Sequence, residues 1–245
     1  MKLISIILPY YKKKIFIQQT LNSILAQNYK KYEIIIIYDD PDKTDLFYLK
    51  KKIKQDKRIK LLINKKNMGA GKSRNKGINI ARGHFLAFID ADDIWHPNKL
   101  YLQLNFMLKH KINASHTSYN IIDKDNNKIG LRKANTLSFE QLKKSCDIGL
   151  STVMLKKNII KKNQLFGPTK TKEDYIFWLN IAKRNHKFFA IKKALTSWRK
   201  LENSLSSPVL QKLSDAFYLY NVHLKENYLK ALLSTIVLSL NFLKK

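Results

Sequence analysis

Glu33-Ile34-Ile35-Ile36-Ile37-Tyr38-Asp39-Asp40 decides how the rest of the chain is read. Four consecutive isoleucines leave no polar face, so a strand here must be covered on both sides, as in a parallel sheet. The two aspartates follow the strand, and open α/β sheets bind ligands beyond the carboxyl ends of their strands. Working outward, comparable apolar runs occupy Leu3–Leu8, Ile59–Asn64 and Phe85–Asp90. Between the runs, Ile15–Gln27, Asp45–Lys54 and Ser73–Ala81 are each long enough for a crossover helix. This alternation predicts an α/β fold with a doubly wound, mostly parallel sheet. The run at Leu3 is too short for a signal-peptide core and is ended by Pro9, so it is expected to be the first buried strand of a cytoplasmic protein.

The second half is less regular. A helix starting near Pro97 carries Leu100, Leu104 and Leu108 at spacings of four. Ala114–Ile122, Gly149–Leu155 and Phe188–Ile191 read as strands, and Asp174–Lys183 as a helix. No internal repeat or Gly/Ser linker marks a further catalytic domain. From Leu210 onward the pattern is helical, and Tyr228–Leu243 is largely apolar with Lys230, Ser234 and Asn241 on one side. That stretch falls short of the ~20 residues a membrane-spanning helix needs. It is expected to lie on a membrane surface or to pack on the domain, and the lysines at both ends favour the membrane.

Of the 245 residues, 47 are Lys or Arg against 18 Asp or Glu, a formal charge of +29. Only six of the basic residues are Arg, the residue on which nucleic-acid readers rely for bidentate contacts. The lysines are scattered rather than striped, so no nucleic-acid partner is expected. The charge should instead draw the chain towards anionic surfaces. Cys146, the one cysteine, excludes an internal disulfide and is expected to be a small packed residue.

Against this basic background the acidic residues concentrate. Asp39, Asp40, Asp42 and Asp45 follow the second strand, and Asp90, Asp92 and Asp93 follow the fourth. Crowded carboxylates raise one another's pKa unless a cation sits among them, and hard divalent ions take carboxylate oxygens. Asp42 and Asp45 read as helix caps. Three carboxylates in Asp90-Ala91-Asp92-Asp93 exceed any capping need and point to a metal site.

The order of motifs resembles a family 2 glycosyltransferase of the GT-A fold. The resemblance runs through Ile6-Ile7-Leu8-Pro9-Tyr10-Tyr11, Tyr32–Asp40, Asn67-Met68-Gly69, Ser73-Arg74-Asn75-Lys76-Gly77-Ile78, Ala81-Arg82-Gly83 and Phe88–Asp93. It continues with Lys172-Glu173-Asp174-Tyr175, Trp178-Leu179, Ser197-Trp198-Arg199 and Asn203-Ser204-Leu205-Ser206. It implies a GT-A domain over residues 1–207, with a nucleotide-sugar half (1–95), an acceptor half (96–207) and a helical tail (208–245).

The resemblance also implies the chemistry. A nucleotide-sugar, UDP-linked on the family's usual habit, would donate its sugar to an acceptor hydroxyl with inversion. A divalent cation, Mn2+ or Mg2+, would be ligated by Asp92 with Asp90 as ligand or ribose support. Pro9, Tyr11 and Asp39 or Asp40 would hold the base and ribose, and Ala91 would lie with Asp90 against the donor. The family's two aspartates followed by Gly-Ser are here Asp39-Asp40-Pro41-Asp42, which leaves open which aspartate meets the base. Arg74 would touch the diphosphate or make a structural ion pair. Asp174 would be the general base, which needs a carboxylate within ~3 Å of the attacking hydroxyl. The acceptor implied is a glycan or lipid-linked glycan of a bacterial surface polysaccharide, met at the inner face of the cytoplasmic membrane.

Gly69, Gly77 and Gly83 read as turn and cap residues, and Trp95, Trp178 and Trp198 as packing residues. Gly69-Ala70-Gly71-Lys72-Ser73 ends like a phosphate-binding loop, but Lys66 stands where that motif needs its first glycine. Three rival functions stay open on sequence: a nucleotidyltransferase, a non-catalytic nucleotide-binding relative, and a basic nucleic-acid binder.

Overall fold

The computed structural model describes residues 2–54, 56–161, 165–201 and 209–243. The Asn203–Ser206 motif and the boundary near residue 207 lie outside them. The first half alternates as the sequence predicts: β1 (Ile4–Tyr10), α1 (Lys14–Leu25), β2 (Tyr32–Tyr38), α2 (Leu46–Ile53), β3 (Ile59–Ile63), α3 (Ala70–Ile80) and β4 (Phe85–Phe88). These four strands are parallel, ordered β3-β2-β1-β4. The isoleucine run explains why. Ile35 and Ile37 enter a core shared with Ile78 of α3, while Ile34 and Ile36 enter the core beneath α1 and α2, and all four are fully buried. Each such side chain contributes about 1.5–3 kcal/mol of burial free energy, which fixes the register from both sides at once.

Pro9 does not end β1. The strand runs on to Tyr10, with Pro9 opposite Ile37 of β2. Ile7 accepts from Ile89 on the β4 side and Tyr10 accepts from Asp39 on the β2 side. Backbone groups alternate along a strand, so the missing Pro9 N–H faces the β4 side, where pairing has ended at Ile7–Phe88.

Beyond β4 come β5 (Ile94–Trp95), α4 (Lys99–Lys109), β6 (Ala114–Ile122), β7 (Lys128–Arg132), α5 (Phe139–Lys144), β8 (Met154–Lys156), α6 (Glu173–Ala182) and β9 (Phe188–Arg199). They extend the sheet as β4-β8-β6-β9-β5, with β8 antiparallel to both neighbours and β7 on the outer part of β6. Three expectations are corrected here. Gly149–Leu155 is not one strand: Leu150–Thr152 form a 3-10 turn that brings Ser151 back to the β4 end. On α4, Leu108 is exposed and Met107 is buried with Leu100 and Leu104, because seven residues nearly close two helical turns and eight overshoot. Cys146 is exposed rather than packed.

The tail forms α7 (Val209–Tyr218), a π-helical turn (Leu219–His223) and α8 (Tyr228–Leu243). Ala216, Leu219, Tyr220, Ala231 and Leu238 enter the α3–α6 core, so the hairpin packs on the domain. Among the described residues no helix is long and apolar enough to cross a membrane.

Candidate active site

The site is built where six chain segments meet at the β4 end. Past Phe88 the chain turns through Asp90-Ala91-Asp92-Asp93, closed by Asp93 N–H donating to the Asp90 carbonyl at 3.1 Å. Thr20 of α1 clamps the turn by donating to the carbonyls of Ala91 (3.0 Å) and Asp93 (2.8 Å). The three carboxylates then diverge. Asp93 points inward, accepting from Ser151 Oγ at 2.5 Å and from Arg199 N at 2.9 Å. Burial first, then the charges of Asp92 and Asp90, push its carboxyl well above the usual range. Asp93 is therefore a brace for the turn.

Asp92 and Asp90 face the cleft. Lys13, the residue before α1, places its ammonium 2.7 Å from Asp92 Oδ2. The Asp92 carboxyl is still raised, by burial and by Asp90, with Lys13 opposing. Asp90 receives Arg74 Nη2 at 2.7 Å, and the same guanidinium reaches Glu173 through Nη1 at 2.9 Å. Arg74 is buried on α3 beneath Phe166, its ring centroid 5.2 Å away. Burial works to lower the Arg74 pKa, but Asp90 and Glu173 outweigh it and hold the group permanently charged. Of the two roles open to Arg74, the structure displays the ion pair.

Glu173 and Asp174 open α6, as expected of acids at a helix start. Asp174 Oδ1 accepts from Tyr175 N at 2.7 Å. Burial and the neighbouring Glu173 push the Asp174 carboxyl up to about 7, Arg74 opposing, with Asp90 close enough to add to the rise. A carboxyl titrating there can hold or release a proton at neutral pH.

The second predicted group, at the β2 end, has a different use. Asp39 is buried and accepts from Asn64 Nδ2 (2.7 Å), Met68 N (2.9 Å) and Gly69 N (2.9 Å), which fixes the loop entering α3. Asp40 is buried and its Oδ1 accepts from Asp42 N. Pro9 is partly exposed and Tyr11 is 40% exposed at the adjoining β1 end, while Ala91 is buried and offers no side chain to a ligand. Neither Asp42 nor Asp45 caps a helix with its side chain. Asp42 pairs with Lys12 at 3.2 Å, and Asp45 accepts from Tyr10 Oη at 2.7 Å, a better partner than an exposed amide.

Three contributors went unassigned from sequence. Lys13 is one lysine among dozens, and Ser151 lies in an apolar run. Arg199 was noted in a motif without a role; it donates Nε to the Asp92 carbonyl at 2.9 Å and guanidinium N–H to Asp123 and Lys124 carbonyls. Trp95 and Trp178 are buried packing residues as expected.

No group of three metal-ligating side chains occurs among the described residues. The charge balance nevertheless fits a divalent cation. Asp90, Asp92, Asp93, Glu173 and Asp174 gather near Arg74, Lys13 and Arg199, and three of the five carboxyls are raised, by burial first and then by one another's charge. Mg2+-like ions are commonly held by one or two carboxylates plus substrate phosphates, so Asp90 and Asp92 suffice as the protein's share.

A parallel four-stranded half with a polar, charged cluster past β4 is the arrangement in which open α/β sheets bind ligands beyond their strand ends. Residues 5–165 match the sequence profile described as glycosyl transferase family 2, and the chain belongs to that family. The nucleotidyltransferase reading falls with that match. The chain is 37% identical over 185 residues to the Escherichia coli UDP-Glc:alpha-D-GlcNAc-diphosphoundecaprenol beta-1,3-glucosyltransferase WfgD, covering 75% of this chain and 71% of that protein. It is 28% identical to the putative teichuronic acid biosynthesis glycosyltransferase TuaG of Bacillus subtilis, over 99% of this chain and 97% of TuaG. Among solved structures, S. aureus TarS 1–349 in complex with UDP-GlcNAc superposes with a TM-score of 0.71 at 20% identity, covering 94% of this chain and 69% of that one. The mannosyltransferase PcManGT of Pyrobaculum calidifontis, in complex with GDP-Man and Mn2+, gives 0.68 at 14% identity, over 96% and 68%. The fold is GT-A, and the chain is a glycosyltransferase.

Proposed function

We propose that the chain transfers a sugar from a UDP-sugar to a hydroxyl of a lipid-linked surface glycan, with inversion, using a divalent cation. The observation that carries the reading is the clustering of Asp90, Glu173 and Asp174 about Arg74 at the carboxyl end of β4, with Asp92 beside Asp90. The donor specificity and the acceptor class rest on likeness to WfgD, which acts on diphosphoundecaprenol-linked GlcNAc, and to TuaG. Such a transfer would be carried out at the cytoplasmic face of a membrane. Residues 1–95 would take the nucleotide, with Pro9, Tyr11 and the Asp39–Asp40 pair at the base and ribose, and residues 96–207 would take the acceptor.

Asp90 and Asp92 would hold the cation, which when bound offsets charge on the departing diphosphate. Lys13 is the counter-ion of Asp92, and a cation held by Asp92 would leave its ammonium available to the donor's phosphates. Arg74 keeps Asp90 and Glu173 apart from one another and in place. Asp174, ionised, would accept the proton of the attacking hydroxyl, and burial keeps that carboxylate basic enough to do so.

The test is calorimetric titration with UDP, GDP and CMP, each with and without Mn2+. UDP binding that needs Mn2+ and is lost in Asp92→Ala is the expected result, with Mn2+ binding tightened in Lys13→Met. Tight metal-free binding of UDP that Asp92→Ala leaves untouched would remove Asp92 from the site.

A further inference from the structure

The polarity of α8 is the reverse of what a surface helix shows. Apart from Lys230, its polar residues turn towards the protein: Thr235 is buried, Ser234 donates to Glu226 at 2.8 Å, and Asn241 donates to the Lys144 carbonyl at 2.9 Å. Its outward face carries Leu229, Leu232, Leu233, Ile236, Val237 and Leu240, each between 42% and 73% exposed. Ser234 and Asn241, on one side of the helix by sequence, thus face the protein. Of the 22 large apolar side chains exposed among the described residues, 13 lie from Val209 to Phe242, so exposed apolar surface is concentrated on this hairpin. A patch of that kind marks an interaction surface. A groove of about 530 Å³ between α7 and α8, lined by Leu213, Phe217 and Tyr228, opens in the same region.

Charge selects the occupant. The two acidic residues of the segment are both buried and spoken for. Asp215 accepts from Thr171 N (2.8 Å) and Oγ1 (2.9 Å), and Glu226 pairs with Lys143. The exposed charges are lysines. Lys212 lies 5.7 Å from the Phe242 ring centroid, and Lys225 and Lys230 stand exposed at the start of α8. With Lys143 and Lys183 these last two line a recess of about 480 Å³ at the edge of the patch. A second copy of a chain carrying +29 would bring like charge to the same face. An anionic bilayer offers the opposite charge and an apolar interior together.

We infer that the outward face of the α7–α8 hairpin docks on an anionic lipid bilayer, with its leucines and Ile236 in the acyl boundary and Lys212, Lys225 and Lys230 at the headgroups. This goes beyond the reading of the donor site and needs neither metal nor nucleotide. The probe is co-sedimentation of the full chain with vesicles of phosphatidylcholine, alone or with phosphatidylglycerol at about 7:3, in low and high salt. The expected result is capture by the phosphatidylglycerol vesicles, weakened by salt. Leu233→Glu/Ile236→Glu should lower it at least about tenfold, since a buried CH2 contributes ~0.8 kcal/mol. Lys225→Gln/Lys230→Gln, which leaves the apolar face untouched, should lower it by roughly fivefold per lysine. Both variants should keep UDP binding, which separates lost docking from lost folding. A wild-type chain that stays in the supernatant with phosphatidylglycerol vesicles at low salt overturns the inference. So does a stable dimer in sedimentation velocity that only the Leu233→Glu/Ile236→Glu variant dissociates. Asp92→Ala should still bind vesicles, so failure of the donor-site reading and failure of docking remain separable.

Discussion

Asp174 and Glu173 are adjacent in sequence and set against each other by position. Glu173 is held by Arg74, while Asp174 is raised to about 7 by burial and by the charge of Glu173. A proton acceptor works only when ionised, so transfer should rise with pH to about 7 and level off above it. Glu173→Gln removes a raising influence and leaves Arg74, a lowering one. The acid limb should move to lower pH, and the rate at pH 6 relative to pH 8 should increase by roughly threefold. The pH profile of kcat/KM checks this, and a limb moved upward would contradict it. At this scale the carboxylates were legible because acids are scarce in a basic chain. Lys13 was not, because only the fold distinguishes it from its neighbours Lys12 and Lys14.

The helix α3 shows how an element positions the site. Gly77 stands in its middle, and a Cβ there would come within 2.8 Å of Ile7 Cγ2 and 3.0 Å of Ile37 Cδ1. It is neither a turn nor a cap, as the sequence had suggested; it lets α3 settle onto β1 and β2, and Arg74 sits one turn earlier. Gly77→Val should cost roughly 1–3 kcal/mol by overpacking and should weaken UDP binding by displacing Arg74. Urea unfolding and calorimetry read the two effects, and an unchanged midpoint would refute the packing argument. The first seven elements were legible to within a few residues because a strand covered on both faces is apolar throughout. The second half was not. The strand β9 runs from Phe188 to Arg199, but Lys192 and Lys193 sit at an irregularity in its pairing with β6 and break the apolar pattern. The start of α5 had a readable signal, the Ser138–Gln141 capping box, which went unused.

Stability of the whole molecule carries one oddity. Lys99 is fully buried, donates to Gln103 Oε1 at 2.8 Å and lies 4.4 Å from the Trp95 ring centroid. Burial lowers its pKa to about 7. The unfolded chain keeps that proton up to ~10.4, so the fold gains stability from Lys99 as pH rises from 7 to 10 and bears the full cost of a buried charge at or below 7. Lys99→Met should therefore stabilise on the order of 2 kcal/mol at pH 6, with the advantage shrinking towards pH 10. Thermal unfolding across that range tests it; a constant difference would show that the amine does not titrate.

One small contact joins the two ends of this design. Asp215 of α7 holds both the amide and the hydroxyl of Thr171, two residues before Glu173. A hairpin resting on a surface would thus fix the tilt of the catalytic cleft against that surface. The search for an acceptor embedded there would then run in two dimensions, by lateral diffusion, and encounter frequency would be set by the density of acceptors per unit area rather than by their number per litre.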